Sequence, residues 1–280
     1  MREKHLKLKF WGTRGSNPSA APNMSTYGGE TTCVELRTSK NELIIFDMGT
    51  GIIRLGNAIL KEPNQVKDIH ILLSHFHWDH IIGFASFKPV YIKGFNITIY
   101  AQKPENGTLK EVFEDMLNNR YWPVPLDKLG AKINFREVHP LLFKINDNIT
   151  VEARSHPHPG GAFGYRLLVD KRKITFITDI EHPPGEPIES VIELARESDL
   201  IIHEGHFSPE DLPKHIGWGH SSWVEAVAVA KASKSKRLIM NHHSPDYEDT
   251  QIAILESDAK KEFPNSSFSR SEETVFIPVK

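Results

Sequence analysis

Apolar positions along the chain follow two periods, and each predicts a different element. Runs that alternate, or stay apolar for four or five residues, read as strands; repeats at every third or fourth position read as helices. Leu6-Lys7-Leu8-Lys9-Phe10-Trp11 alternates apolar with basic residues and predicts a half-buried strand. The turn-forming Gly12-Thr13-Arg14-Gly15-Ser16-Asn17-Pro18 closes it. Further strands are expected over residues 32–38, 43–46, 69–73 and 96–100, then over 133–138, 149–154, 163–169 and 173–177. Two more end in polar groups, from Asp199 towards His206 and from Leu238 towards His242, the latter being the last clear strand. Helical spacing is expected over residues 52–60, 109–117, 188–196, 222–232 and 250–263.

The second half thus repeats the pattern of the first, and two strand-rich halves that each end in helices predict two sheets packed face to face with helices outside. The expected fold is α/β, a four-layer αββα sandwich. No stretch of Gly, Ser or Pro is long enough to act as a linker between separate units, so residues 1–280 are read as one domain, large enough to bury a substantial core with 39% hydrophobic residues. The segment Arg120-Tyr121-Trp122-Pro123-Val124-Pro125-Leu126 carries two prolines that forbid a regular element. Its aromatics serve either a packed connection, a cleft wall or pairing with a second copy.

Charge and cysteine usage narrow the class. The formal net charge is −2 with signs interspersed, which gives no general nucleic-acid-binding surface. Cys33 is the only cysteine, so there is no internal disulfide framework and a reducing compartment is expected. The polar start Met1-Arg2-Glu3-Lys4-His5-Leu6-Lys7 lacks a signal core, and no apolar run has the length of a membrane span. A soluble cytoplasmic protein is the expectation.

The chemistry concentrates in Ser74-His75-Phe76-His77-Trp78-Asp79-His80-Ile81-Ile82-Gly83, where the strand ending at Leu73 gives way to a helix. His75 and His77, two apart in extended chain, point to one side, whereas Asp79 and His80 face a second point after the chain turns. Imidazole with carboxylate suits zinc, and also manganese or iron. Other strand ends offer more donors. His156 and His158 flank Pro157; Asp179 closes the strand before it; His242 and His243 follow Asn241. Asp47, at a strand end beside glycines, is either an ordinary turn residue or a support for a metal ligand. The stretch from His203 to His206 either supports ligand histidines from behind or is structural. Ser222 reads as a helix cap after the glycine turn Gly217-Trp218-Gly219.

The block H-x-H-x-D-H resembles the signature of the metallo-β-lactamase superfamily. His158, by its relation to the downstream Phe163-Gly164-Tyr165-Arg166, resembles the third metal motif of ribonuclease Z-like members, which leaves His156 as a neighbour. Asp179 resembles the carboxylate that bridges both metals there, and His242 aligns with the final ligand, leaving His243 as a supporting or structural group. The resemblance implies His75, His77 and His158 on one divalent ion, Asp79, His80 and His242 on a second, and Asp179 shared. Gly219-His220-Ser221-Ser222, followed by Glu225-Ala226, resembles the G-H-S-T element of ribonuclease Z and related phosphodiesterases. There the histidine works with the first motif's aspartate, so His220 and Asp79 are the expected catalytic pair for protonating a leaving oxygen.

Two ions carry roughly +4, which two aspartates and a bridging hydroxide nucleophile offset incompletely, so an anionic substrate is expected. The function so implied is a phosphodiesterase acting on a small or cyclic nucleotide-like diester. Another metallo-hydrolase, cleaving a thioester or lactam, and a sensing module without turnover are the alternatives. No Gly/Pro/Lys-rich insertion corresponds to the long tRNA-grasping arm of ribonuclease Z, and Lys93, Lys103 and Lys110 are scattered among acids.

Overall fold

The computed structural model describes residues 4–139, 142–183 and 186–279; residues 1–3 of the polar start lie outside these. In chain order the strands are β1 (His5–Gly12), β2 (Cys33–Arg37), β3 (Leu43–Phe46), β4 (Asp68–Leu72), β5 (Asn96–Gln102), β6 (Lys132–Val138), β7 (Leu142–Lys144), β8 (Ile149–His156), β9 (Ala162–Val169), β10 (Arg172–Ile177), β11 (Leu200–Glu204), β12 (Leu238–Asn241), β13 (Ser266–Phe268) and β14 (Thr274–Pro278). The α-helices are α1 (Gly51–Lys61), α2 (Trp78–Ile81), α3 (Leu109–Met116), α4 (Glu189–Ala195), α5 (Trp223–Ala232) and α6 (Asp249–Glu262).

These strands form two seven-stranded sheets, ordered β14-β1-β2-β3-β4-β5-β6 and β13-β12-β11-β10-β9-β8-β7. In each sheet four strands pair antiparallel and three more are added in parallel, each addition needing a crossover of the kind α1, α3, α4, α5 and α6 provide. The expected repetition of pattern between the halves is therefore present. One strand breaks the simple division, because β14 crosses back from the C-terminal end to complete the first sheet beside β1.

Why the central strands read as unbroken apolar runs follows from the layering. Leu43 and Ile45 of β3 pack with α1 and α3 in one cluster, while Ile44 and Phe46 face the other sheet in a second. A strand with helices on one face and a sheet on the other has no solvent side. Phe46 stacks on Phe176 of β10 with ring centroids 4.8 Å apart, at the heart of the inter-sheet layer. A third cluster joins the second sheet to α4, α5 and α6. The four-layer αββα sandwich is the observed architecture.

The strand at 238–241 is not the last. β13 and β14 follow it, and β7 is a further strand outside the expected set; all three are at sheet edges and short enough that their periodicity carries little signal. Trp122 packs against the first cluster with its indole N–H donating to Tyr91 Oη at 2.9 Å, so the aromatic loop is largely a packed connection, with Tyr121 exposed. Among the described residues no helix is long and apolar enough to cross a membrane.

Candidate metal centre

The candidate donors come from loops at the C-terminal ends of strands, the rim where open α/β sheets place ligands. After β4, His75 and His77 remain in extended chain and Asp79 and His80 lie on the single turn α2. His158 follows β8, Asp179 follows β10 and His242 follows β12. Phe163 N–H donates to Ser74 O at 2.9 Å, and Tyr165 Oη–H to Leu73 O at 2.7 Å, so β9 ties the second sheet to the loop that carries the first motif.

All seven predicted donors come together. His75, His77 and His158 form one group of mutually close ligand atoms; Asp79, His80, Asp179 and His242 form another. Between them stands Asp179. Its Oδ1 is 3.8 Å from both His75 Nε2 and His158 Nε2, and its Oδ2 is 3.2 Å from His80 Nε2 and 3.3 Å from His242 Nε2. Asp79 Oδ2 lies 3.1 Å from His80 Nε2 and 3.0 Å from His242 Nε2, and it accepts Ser16 N–H at 2.8 Å.

The hydrogen bonds behind these side chains set which nitrogen is free. Asp47 accepts from Ser74 N–H at 2.7 Å and Ser74 Oγ–H at 2.9 Å, and from His80 Nδ1 at 2.8 Å. Ser74 Oγ in turn stands 3.0 Å from His75 Nδ1, and Gly219 O accepts His158 Nδ1–H at 2.9 Å. With Nδ1 protonated in all three rings, each Nε2 presents a lone pair to the centre. His75 Nε2 and His80 Nε2 are buried and have no hydrogen-bond partner. Buried lone pairs without donors, facing two carboxylates, fit a divalent cation. Asp47, which the sequence left between turn and support, thus holds the orientation of two histidines.

Electrostatics point the same way. Burial would raise the Asp79 carboxyl, but His80 and His242 hold it below the usual carboxylate range. Burial lowers His75, and pulls His158 down to about 4 against the opposing field of Asp179. His80 is the exception: burial would lower it, yet Asp79, Asp179 and Asp47 together raise it. Three carboxylates around one imidazole call for positive charge.

His220 lies beside this centre, its Nδ1 3.8 Å from Asp179 Oδ1 and 3.3 Å from Glu204 Oε2. Burial would depress it, but Glu204 foremost, then Asp179 and Asp79, pushes it up to about 9. Glu204, the last residue of β11, is fully buried and is the partner that sequence reasoning did not single out; its only signal was a carboxylate at a strand end. His206 stacks on His220 at 4.2 Å and donates through Nδ1 to His242 O at 2.9 Å. His203 faces His182 at 3.4 Å, His243 stands 2.8 Å from Ser269 O, and His156 is buried beneath the rim, none of them among the close groups of metal-competent donors.

An αββα sandwich whose rim gathers histidine lone pairs around carboxylates is the framework of a metal-dependent hydrolase, with metallo-β-lactamase architecture. The family model for the Beta-lactamase superfamily domain matches residues 43–243, well over half of the chain, and the chain belongs to that family. A ribonuclease Z of Lacticaseibacillus casei (strain BL23) is 24% identical over 318 positions, covering 98% of this chain and 96% of the relative. The alignment is longer than the 280 residues of this chain, so the relative carries segments without counterpart here. Among solved structures, the metallo-beta-lactamase fold protein YhfI from Bacillus subtilis superposes with a TM-score of 0.75 at 17% identity, covering 98% of this chain and all of the other. Human tRNase Z, short form, gives 0.68 at 21% identity, covering 98% and 99%. At these identities both structures speak for the fold.

Proposed function

We propose that the protein is a phosphodiesterase that uses two divalent metal ions, zinc or else manganese or iron, on a small or cyclic nucleotide-like diester. The observation that carries the reading is the position of Asp179, with Oδ1 turned to His75 and His158, Oδ2 to His80 and His242, and His220 beside it. His75, His77 and His158 would hold one ion, Asp79, His80 and His242 the other, with Asp179 common to both. When bound, such ions supply Lewis acidity to a phosphoryl oxygen and acidify water to a pKa of about 7.

The chain's own residues do the rest. Asp47, Ser74 and Gly219 keep the imidazoles in one tautomer, so the donor geometry needs no rearrangement during turnover. His220, kept protonated by Glu204 against its Nδ1, carries its other proton on Nε2 and delivers that one to the oxygen of the departing group. Glu204 remains buried against it and stabilises the charged imidazole between cycles. The relative named ribonuclease Z supports diester chemistry, while this sequence's lack of a Gly/Pro/Lys-rich insertion supports a substrate that needs no long grasping arm.

The test is hydrolysis of bis(p-nitrophenyl) phosphate by metal-reconstituted protein, beside Asp79→Ala and His220→Ala. Turnover lost in both variants, with metal content retained in the second, supports the mechanism. A metal-loaded wild type without turnover overturns it. The ribonuclease Z relatives also support a second reading, cleavage of a tRNA precursor; a precursor transcript cleaved faster than nucleotide diesters would favour it.

A further inference from the structure

Beside the centre, the turn Gly217-Trp218-Gly219 leaves a tryptophan 62% exposed. Large aromatics are mostly buried, so one left in water next to polar chemistry asks for a physical reason. Looseness is not that reason. Glu181 accepts Gly217 N–H at 2.8 and 2.9 Å on its two oxygens and Gly219 N–H at 2.7 Å. Both glycines hold left-handed φ angles, 88° and 85°, which only glycine adopts freely, and a Cβ on Gly219 would overlap the His158 ring. Trp218 N–H donates to His215 O at 3.1 Å. The His215 ring meets the indole edge-on at 4.7 Å and stacks on buried Phe207 at 4.3 Å. The indole is therefore braced from the protein side and open on the other. It is an exposed aromatic face fixed before any ligand arrives, which lowers the ordering cost of binding.

The turn is also joined to the chemistry. Gly219 O holds His158 Nδ1, and the next residue is His220. A cavity of about 500 Å³ opens here, lined by Pro157, His158, Pro159, Glu181, His182 and Ile216 together with the two glycines of the turn. That is within the range of small-ligand sites, about 300 to 1,000 Å³. The walls are largely apolar, and His158, one of the donors grouped with His75 and His77, is among the residues that line the cavity.

Resting on the phosphodiesterase reading above, we propose that Trp218 is the stacking platform for a nucleobase of the substrate, with the attached sugar at the mouth of the Pro157–Ile216 cavity and its phosphate at the His/Asp centre. Stacking tolerates any base because every base has a π face, so Trp218 selects for the presence of a base over its identity. The base could belong to a mononucleotide-sized diester or to the end of an RNA chain, and the test has an arm for each.

Inhibition of bis(p-nitrophenyl) phosphate turnover is measured for the metal-loaded full chain with adenosine 5′-monophosphate and with ribose 5-phosphate, which lacks the base. Wild type should prefer the nucleotide by about 10-fold, within what stacking contributes per base. Trp218→Phe should keep most of that preference and Trp218→Ala should lose it, with ribose 5-phosphate inhibiting all three alike. Equal inhibition by the two ligands in wild type, or an unchanged preference in Trp218→Ala, overturns the proposal. Quenching of tryptophan emission by the nucleotide, present in wild type and lost in Trp218→Phe, gives a readout independent of turnover. Should wild type hydrolyse nothing, the diesterase reading fails, and this titration still decides whether Trp218 meets a base. A ten-residue oligoadenylate that competes no better than the mononucleotide supports the small substrate. One that competes more than about 10-fold better keeps the platform and overturns the claim of a small substrate.

Discussion

Replacing Asp47 by Asn should weaken metal binding while leaving the metal-free fold intact, and the reason lies in which atoms each oxygen serves. Oδ1 accepts Ser74 N–H at 2.7 Å; Oδ2 accepts from Ser74 Oγ at 2.9 Å and from His80 Nδ1 at 2.8 Å. An amide keeps one oxygen. If it stays with the buried Ser74 N–H, the NH₂ group faces His80 and donates to Nδ1. The imidazole proton then moves to Nε2, the atom aimed at Asp79 and Asp179. A wrong tautomer behind a ligand costs about 10- to 100-fold in metal affinity, or about 1.4 to 2.8 kcal/mol. Backbone strain does not confuse the comparison, since Asp47 has φ 59° and Asn accepts the left-handed region as readily.

Asp47→Ala is the contrasting perturbation. It places a Cβ-bearing residue without a local hydrogen bond in left-handed backbone, at about 1–2 kcal/mol. It also leaves the Ser74 amide buried and unpaired, at about 1–3 kcal/mol. That variant should melt lower even without metal, whereas the Asn variant should match wild type when metal-free and gain less on loading. Competition against a fluorescent zinc chelator, with melting curves before and after loading, measures both. Wild-type affinity in Asp47→Asn would refute the claim that Asp47 sets the tautomer of His80.

Two further perturbations test other regions of the framework. Gly15 packs on the His242 ring so closely that a Cβ would overlap it; Gly15→Ala should displace His242, reduce metal stoichiometry and cut kcat/KM by about 100-fold. Normal metal content by elemental analysis, with full activity, would remove Gly15 from the account. Away from the centre, burial would raise Glu256, but Arg270 first, then Tyr27 and Lys260, lowers it to about 2. A carboxyl depressed in the folded state contributes stability above its ordinary 4.5 and loses that contribution as pH falls towards about 2. Urea unfolding between pH 6 and 3 should therefore show the gap between wild type and Glu256→Gln narrowing below pH 4.5; parallel curves would contradict the assignment.

How much of this was legible in the sequence depended on whether a signal was local. Leu43–Phe46 could be bounded because a strand buried on both faces is apolar without interruption. The first motif could be read because four of the donors lie within six residues, from His75 to His80. Asp47 could not be decided, since its role is a contact with His80, 33 residues away, that a turn aspartate would lack. Glu204 could be placed only within a stretch, His203 to His206, that was either supporting or structural, because what marks it is proximity to His220 in a buried pocket. β14 escaped because it is a short edge strand, and its pairing with β1, at the other end of the chain, leaves no local signal.

The left-handed backbone at the rim was equally out of reach, and it explains how the centre is assembled. Asp47, Asp179 and His242 have φ of 59°, 54° and 63°, and each stands one or two residues past the end of a strand: β3, β10 and β12. Parallel strands in both sheets bring their C-terminal ends to one rim, but a strand that simply continued would carry its side chains away from the gap between the sheets. One left-handed residue turns the chain there within a single step. Non-glycine residues in that conformation cost about 1–3 kcal/mol each and persist where surrounding contacts hold them. At this rim the contacts are the hydrogen bonds and ion pairs to His80 and between Asp79, Asp179 and His242. The strain and the chemistry thus share the same three residues. Changes there that keep the backbone preference, such as Asp to Asn, isolate the chemistry; changes to β-branched residues disturb both at once.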